Sequence, residues 1–188
     1  MFQAKPRLIA PTANASILAL EAWHDISYRT RNCLGQLNSA TDPASTVAGI
    51  PIEKMQLSDL SRCERRALFR LPDLGFACYC EVAAVMDRYG WRFHDRWTGK
   101  PEPPALDLLG SLLPRYLDRI NQAAAKRSER FAIGETMLRL NDEEGLSGAE
   151  IGKRYGVTSA AVHATIRKTR RILDLRARLP LPPTPAAS

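Results

Sequence analysis

A cluster of cations near the carboxyl end of the chain is the group of residues best suited to bind a ligand. It comprises Lys168, Arg170, Arg171, Arg176 and Arg178, with Asp174 as the one carboxylate among them. Guanidinium and ammonium groups in such a cluster neutralise phosphates along a nucleic-acid backbone. The whole chain of 188 residues carries 27 Lys and Arg against 20 Asp and Glu, a formal net charge of +7. This excess predicts nucleic acid as the first candidate partner and an anionic membrane surface as the second.

Residues suited to catalysis or metal binding do not fall into a recognisable arrangement. The three histidines are far apart in the sequence, and none belongs to a motif such as H-E-x-x-H. Cys78 and Cys80 are separated by one residue rather than by the two of a zinc knuckle. Asp142, Glu143 and Glu144 lie between two predicted helices, where a solvated acidic turn explains them. The sequence therefore predicts a protein that is not an enzyme, with no metal, no cofactor and cysteines buried as small apolar side chains.

The elements that must position the cations are predicted to be helices. Apolar residues recur at helical spacing, and no alternating pattern of useful length indicates a strand. We therefore predict an all-α protein built from two small helical domains. The predicted organisation is a loose N-terminal arm over 1–15, a helical domain over 16–97, a linker and connecting helix over 98–127, a helix-turn-helix domain over 128–178 and a proline-rich tail over 179–188. No apolar run approaches the roughly 18 residues of a membrane span, which favours a cytoplasmic protein without membrane contact. With nucleic acid as the first candidate partner, nucleoid association is expected.

The segment from 145 to 178 has the pattern of two helices joined by a tight turn. Ser147 and Glu150 form the S-x-x-E pattern of a capping box, which starts a helix. Gly156 supplies the turn, since a positive φ costs glycine little, and Thr158 caps a second helix running to about Arg176. The residues predicted to be buried are Ala149, Ile151, Val157, Val162, Ile166 and Leu173. A short helix, a glycine turn and a longer helix together indicate a helix-turn-helix.

The opposite face of the second predicted helix carries side chains that could contact DNA. Helix-turn-helix proteins place this helix in the major groove, where it meets base edges and phosphates. The predicted DNA-binding residues here are Thr158, Ser159, Ala160, His163, Ala164, Arg167, Lys168, Arg170 and Arg171. The small side chains among them favour contact with thymine methyl groups or readout of DNA shape over bidentate hydrogen bonds. A solvated helical face without a partner is the alternative.

The sequence LSGAEIGKRYGVT, residues 146–158, resembles the helix-turn-helix in the fourth conserved region of bacterial sigma factors. Members of that family show a pattern like L-[ST]-x-x-E-[IV]-G-x-x-x-G-V-[ST] and read the −35 element of promoters. The resemblance extends from near Glu129 and implies the same scaffold, with promoter DNA as its partner. Where the family carries arginine, glutamate and glutamine for base reading, this chain has Ser159, Ala160 and Ala164. The −35 specificity is therefore not implied.

A second set of motifs lies in the N-terminal half, in YRTRNCL (28–34) and LFRLPDLGFACYCEV (68–82). In the second motif, Pro72 is predicted to end one helix, because it lacks an amide donor. Gly75 is predicted to form a tight turn, and Phe76 to open another helix. Free amides at the start of that helix could bind a phosphate.

Together these motifs resemble the C-terminal domain of the RNA polymerase α subunit. In that family V-R-[ST]-x-N-C-L opens the first helix, and L-x-x-L-P-N-L-G-x-x-S-x-x-E-I forms a hairpin between two later helices. The resemblance spans about residues 16–97. It implies that Arg29 and Asn32 reach into the DNA minor groove and its phosphates, and that Gly75 and Glu81 contribute from the hairpin.

The hairpin sequence also departs from that family. Asp73 stands where the family has asparagine, Ala77 where it has lysine and Cys78 where it has serine. A lost cation and an added carboxylate both oppose the binding of a phosphate. The N-terminal unit is therefore expected to contact either DNA or another protein, and the sequence leaves both open.

The two resemblances together predict a DNA-binding transcription regulator of bacterial or phage type, more an activator than a repressor. It is expected to bind double-stranded promoter DNA and to engage RNA polymerase, and nothing in the sequence indicates an oligomeric state. Two alternatives remain open. One is a polymerase-binding modulator without specific DNA readout, and the other is a DNA-architectural or recombination accessory protein.

Overall fold

Helices account for nearly all the regular structure of the protein. The computed structural model describes residues 14–39, 49–94, 101 and 113–182. The α-helices in these ranges are α1 (Ile17–Ala22), α2 (Tyr28–Gly35), α3 (Leu57–Leu60), α4 (Arg65–Phe69), α5 (Phe76–Arg88), α6 (Leu113–Asp142), α7 (Gly148–Tyr155) and α8 (Ser159–Arg178), with a 3-10 turn over Gln36–Ser39 after α2. Two isolated β-bridges but no strand occur in the same ranges. The prediction of an all-α fold is confirmed.

The chain divides into two compact units, one comprising 1–120 with 181–188 and the other comprising 121–180. The division lies inside α6 and within the segment 98–127 that the sequence assigns to the linker and connecting helix. The predicted N-terminal arm and tail lie largely outside the described residues, and the described part of the predicted linker and connecting helix is residue 101 and the start of α6, 113–127. The five-segment organisation therefore stays a prediction. Every helix within the described residues is too short or too polar to span a lipid bilayer.

Two residues that precede the predicted boundary at residue 16 form hydrogen bonds with α3. The Asn14 side chain accepts a hydrogen bond from the Ser58 amide at 3.0 Å and donates one to the Ser58 hydroxyl at 2.8 Å. Ala15 is buried, and its carbonyl accepts a hydrogen bond from the Leu57 amide at 3.1 Å. Asn14 and Ala15, which the sequence places in the loose arm, therefore belong to the folded unit.

The core of the first unit is formed by apolar side chains from α1 to α5, together with Ile120 of α6. Ser16 and Ser27 start α1 and α2, because each hydroxyl accepts a hydrogen bond from the backbone amide three residues ahead, at 3.1 Å in both cases. The largest fully buried side chains include Ile17, Leu20, Leu34, Leu57, Leu60, Leu68, Met86 and Phe93. This core holds α2 and the hairpin between α4 and α5 in place.

All four cysteines are buried, and none forms a disulfide. Burial raises the pKa of Cys80 to about 11 and also raises the pKa of Cys33. A thiol that stays protonated is a poor nucleophile and a poor metal ligand. The burial of all four cysteines agrees with the prediction that they are small buried side chains. No group of three or more candidate metal ligands comes together within the described residues.

The turn of the hairpin between α4 and α5 is made by a different residue than predicted. Asp73 adopts a left-handed backbone with φ of 62°, whereas Gly75 has φ of −70° and ψ of 168°. Aspartate tolerates the left-handed region better than most residues, because its short polar side chain can hydrogen-bond locally. The prediction that Gly75 forms the turn is therefore wrong, and Gly75 is instead the N-cap of α5.

The second unit packs the carboxyl-terminal part of α6 with α7 and α8. Its core consists of Met137, Leu140, Ile151, Val162 and Ile166. Gly134 permits a close crossing of α6 and α8, because a methyl group there would collide with the hydroxyl of Thr169 and lie 3.3 Å from Cγ2 of Thr165. The amino-terminal part of α8 packs against α7. The second unit is therefore a three-helix arrangement in which α8 contacts both of the others.

Three of the six residues predicted to be buried in this unit are placed differently. Val157 is 42% exposed, Ala149 is exposed and Leu173 is half-buried. Thr169 and Ile172 are buried instead. The buried residues of α8 face two partners, because Val162 and Ile166 share a core with both α6 and α7, and Thr169 packs against Gly134 of α6. Helical spacing alone does not reveal which residues these two partners cover.

Candidate nucleic-acid interface

The first helix of the predicted helix-turn-helix, α7, starts at a complete capping box. The Ser147 amide donates to Oε2 of Glu150 at 2.7 Å, and the Ser147 hydroxyl donates to the same oxygen at 2.6 Å. In return, the Glu150 amide donates to Oγ of Ser147 at 3.3 Å. The hydrogen bonds from Ser147 favour the charged carboxylate and hold the pKa of Glu150 below its ordinary value. The predicted capping box is confirmed.

A tight turn then sets α8 against α7. Gly156 has a left-handed backbone with φ of 66° and ψ of 31°, and the Val157 amide donates to the Gly152 carbonyl at 2.9 Å. A side chain at Gly152 would disturb this turn, because a methyl group there would lie 2.5 Å from the Val157 carbonyl oxygen. Thr158 caps α8 by accepting a hydrogen bond from the Ala161 amide at 3.2 Å. The predicted turn glycine and N-cap are confirmed.

The face of α8 predicted to read bases lies at the surface of the second unit. Its exposed residues are Thr158, Ala160, His163, Ala164 and Arg167, and Ser159 is half-buried. Val162 and Ile166, on the opposite side, are buried. His163 and Ser159 both lie against the first residue of α7: a methyl group at Gly148 would lie 2.7 Å from Nε2 of His163 and 2.8 Å from Oγ of Ser159. The face thus has two exposed alanines and, next to α7, two groups able to form hydrogen bonds.

Cations continue along α8 toward its carboxyl end. The term cationic ridge is used for Arg167, Lys168, Arg170 and Arg171. The first three are exposed, and Arg171 is half-buried. Arg170 also forms an ion pair with Asp142 at the end of α6, with Nη2 and Oδ1 2.5 Å apart and both side chains about half exposed. The second unit, 121–180, carries twelve Lys and Arg against seven Asp and Glu, which is +5 of the chain's formal +7. The positive charge is thus concentrated in the unit that contains α7 and α8.

Arg176 belongs to helix packing rather than to the cationic ridge. Its guanidinium lies 4.2 Å from the centre of the Phe131 ring on α6, and the side chain is half-buried. Burial lowers the pKa of Arg176, and the nearby Glu135 opposes that shift. Arg178, the last residue of α8, is exposed. The cation cluster inferred from the sequence therefore separates into surface charges and one arginine that stacks on α6.

In the first unit, the predicted DNA contacts on α2 are Arg29 and Asn32, and both side chains are exposed. Arg29 donates from Nη2 to the Asp73 carbonyl at 3.3 Å, which brings its guanidinium to the hairpin. Asn32 follows three residues later on the same helix. Arg31 has another role, because its guanidinium pairs with the buried carboxylate of Glu21 at 3.1 Å. The two arginines of the YRTRNCL motif therefore differ, and Arg29 is the one that reaches the hairpin.

Glu81 differs from the expectation of a DNA contact. It is 8% exposed on α5, and its Oε2 accepts hydrogen bonds from the Ser27 amide at 2.8 Å and the Thr30 hydroxyl at 2.6 Å. The carboxylate thereby satisfies donors at the start of α2 and lies at the positive end of that helix. A buried anion engaged in this way is not placed to bind a phosphate. We therefore assign Glu81 to the positioning of α2.

Phe69 and Phe76, two aromatic side chains beside the hairpin, are exposed, and the sequence does not predict this exposure. They are termed the hairpin aromatic pair. Phe69 is 51% exposed at the end of α4, and Phe76 is 41% exposed at the start of α5. Their rings flank that of Tyr79, with centroid separations of 4.7 and 6.2 Å, and Phe76 also meets Tyr116 edge-on at 4.6 Å. Phe76 directly follows Gly75, which is itself exposed. No local sequence signal sets the pair apart, because the exposure of each ring depends on how α4 and α5 pack around Tyr79.

The candidate residues thus form two sets, each within its own unit. The first unit brings Arg29 to the hairpin near Gly75, and the second unit collects Thr158 to Arg171 on α8. Comparisons with known proteins return no match, whether with family models, with curated proteins or with solved structures.

Proposed function

We propose that the protein is a DNA-binding transcription regulator of bacterial or phage type that binds double-stranded promoter DNA through α8 and engages RNA polymerase. One observation carries the proposal: small exposed side chains and the cationic ridge follow one another along a single helix, which a capped α7 and a glycine turn hold in place. A helix of this kind fits the major groove, where the ridge would neutralise phosphates and the alanines would permit close approach to base edges. The resemblance to two promoter-recognition modules supports promoter DNA as the target and activation as the outcome.

The proposal is tested by the salt dependence of binding to duplex DNA. If about five phosphates are neutralised, the logarithm of the association constant falls with the logarithm of salt concentration at a slope of about −4 to −5. Fluorescence anisotropy of a labelled duplex between roughly 50 and 200 mM salt measures this slope. An association that does not depend on salt would refute the proposal.

Paired variants separate the cationic ridge from general electrostatic attraction. R170A/R171A is expected to weaken binding on all sequences alike and to reduce the salt slope by about 2. The matched control R115A/R119A removes the same charge from exposed positions of α6 in the first unit and is expected to leave the slope unchanged. Equal losses in both variants would contradict the assigned role of the ridge. Substitution of His163 or Arg167 is expected to change sequence preference instead.

A polymerase-binding modulator without DNA readout is the second candidate function, and the hairpin aromatic pair is the observation that favours it. Exposed aromatic and arginine side chains are enriched at protein–protein interfaces. Asp73 and the absence of a cation at Ala77 disfavour a phosphate at the same place. Under this function, F69A/F76A abolishes co-sedimentation with purified bacterial RNA polymerase in the absence of DNA. The control L181A, at another exposed apolar position, leaves it intact. Unimpaired binding by F69A/F76A would exclude the pair as the contact.

A further inference from the structure

The backbone conformation of Gly148, the first residue of α7, does not require a glycine. Its φ is not in the left-handed region, in contrast to Gly145 and Gly156, which precede and follow the helix. Alanine is favoured over glycine in a helix, so conformational freedom does not explain glycine at this position. The surroundings of Gly148 explain the glycine. Nε2 of His163 and Oγ of Ser159 occupy the space beside it, 2.7 and 2.8 Å from where a methyl group would lie.

The two side chains that use this space belong to the face of α8 that we propose to read bases. Ser159 and His163 are one helical turn apart, so both can reach the same point on α7. The imidazole of His163 lies against the first turn of α7, which limits the space open to it on that side. A side chain ordered before binding loses less conformational freedom when it binds. Gly148 thereby sets the direction in which two polar groups leave α8.

We infer that Gly148 is a positioning residue for DNA specificity and that Ser159 and His163 form one reading unit held by it, an inference that rests on the proposed function. An imidazole and a hydroxyl can each donate to or accept from a base edge. The base pair that faces this unit is therefore read by hydrogen bonds. The base pairs that face Ala160 and Ala164 are read through thymine methyl groups or DNA shape.

A double-mutant cycle in the complete 188-residue chain tests this inference. The probe is the duplex most enriched from a random pool by the unmodified chain, and a shuffled duplex of the same composition is the reference. The ratio of the two affinities, the specificity ratio, is measured by anisotropy for the unmodified chain, G148A, S159A/H163A and the triple variant. G148A is expected to lower the specificity ratio about 10-fold, with little change on the shuffled duplex. In the S159A/H163A background the same change is expected to have less than about a twofold effect, because the displaced side chains are absent.

The outcomes distinguish a positioning role from a structural one. An equal loss of specificity in both backgrounds would mean that the methyl group acts on α7 itself, and it would overturn the inference. An unchanged ratio in G148A would also overturn it. Neither result would contradict the proposed function, because that function is tested by DNA binding of the unmodified chain. Failure of the unmodified chain to bind either duplex would overturn the proposed function and the inference with it.

Discussion

Replacing Gly152 with alanine probes how the turn between α7 and α8 is held together. A methyl group on Gly152 would lie 2.5 Å from the carbonyl oxygen of Val157 and 3.5 Å from the amide nitrogen of Ser159. Both atoms belong to the backbone, so the Val157 oxygen, which would be too close, cannot swing aside as the end of a side chain can. The turn and α7 must therefore separate, which also lengthens the 2.9 Å hydrogen bond from the Val157 amide to the Gly152 carbonyl.

The expected cost of G152A follows from three contributions. An extra methyl group in a closely packed site costs about 1–3 kcal/mol, and a weakened backbone hydrogen bond costs about 1 kcal/mol. The higher helix propensity of alanine offsets about 1 kcal/mol. The free energy of local unfolding of the second unit should therefore fall by about 2 kcal/mol. At 1.4 kcal/mol for each factor of ten, amide exchange through that opening should become roughly 30-fold faster.

Hydrogen–deuterium exchange of peptides from 148–178 measures this loss separately from the first unit. G148A is the matched control, because the same change four residues earlier on α7 meets only the movable ends of two side chains. Its exchange should change by less than about threefold, since a small strain and the propensity gain oppose each other. Unchanged exchange in G152A, or equal acceleration in both variants, would refute the claim that the backbone contact limits the turn.

Three further substitutions test other contacts. E81A should lower the free energy of unfolding of the first unit by about 2–3 kcal/mol, since the donors at the start of α2 lose their acceptor. Urea unfolding followed by tryptophan fluorescence measures this, with exposed Glu53→Ala as control. Folding lowers the pKa of Glu150 from its ordinary value of 4.5. The carboxylate therefore stabilises α7 fully when the pH is above 4.5, and this stabilisation is lost as the pH falls through the lower pKa of the folded state. Below about pH 4.5, E150Q should therefore lose less helicity by circular dichroism than the unmodified chain does, and identical acid transitions would contradict the capping box. D142N should raise the affinity for duplex DNA about two- to fivefold, since it releases Arg170 from an exposed ion pair; weaker binding in the anisotropy assay would mean that Asp142 orients Arg170 instead.

The candidate interface could be located from the sequence where its signals are local. Ser147 with Glu150, and Thr158 at the start of α8, act on backbone groups three residues away, so their spacing alone is informative. The exposure of Ala160 and His163 follows from the 3.6-residue period relative to buried neighbours. These residues could therefore be assigned without knowledge of the tertiary packing.

Other features could not be assigned from the sequence, because they depend on contacts between residues distant in the chain. The resemblance placed Glu81 at DNA, whereas its hydrogen-bond partners Ser27 and Thr30 lie 54 and 51 residues away in the sequence. The exposure of Phe69 and Phe76 likewise depends on how α4 and α5 pack around Tyr79.

By itself, the sequence determined the helical class, the capped turn between α7 and α8, and the cationic character of α8, because these properties arise from composition and from neighbours within one or two turns. The tertiary structure alone decided that Thr169 and Ile172 are covered by other elements, that Glu81 faces inward, and that Gly148 makes room for His163. The physical reason is that burial and long-range hydrogen bonds depend on which helices are in contact. Those contacts are determined by the packing of the whole unit and not by any short segment of the chain.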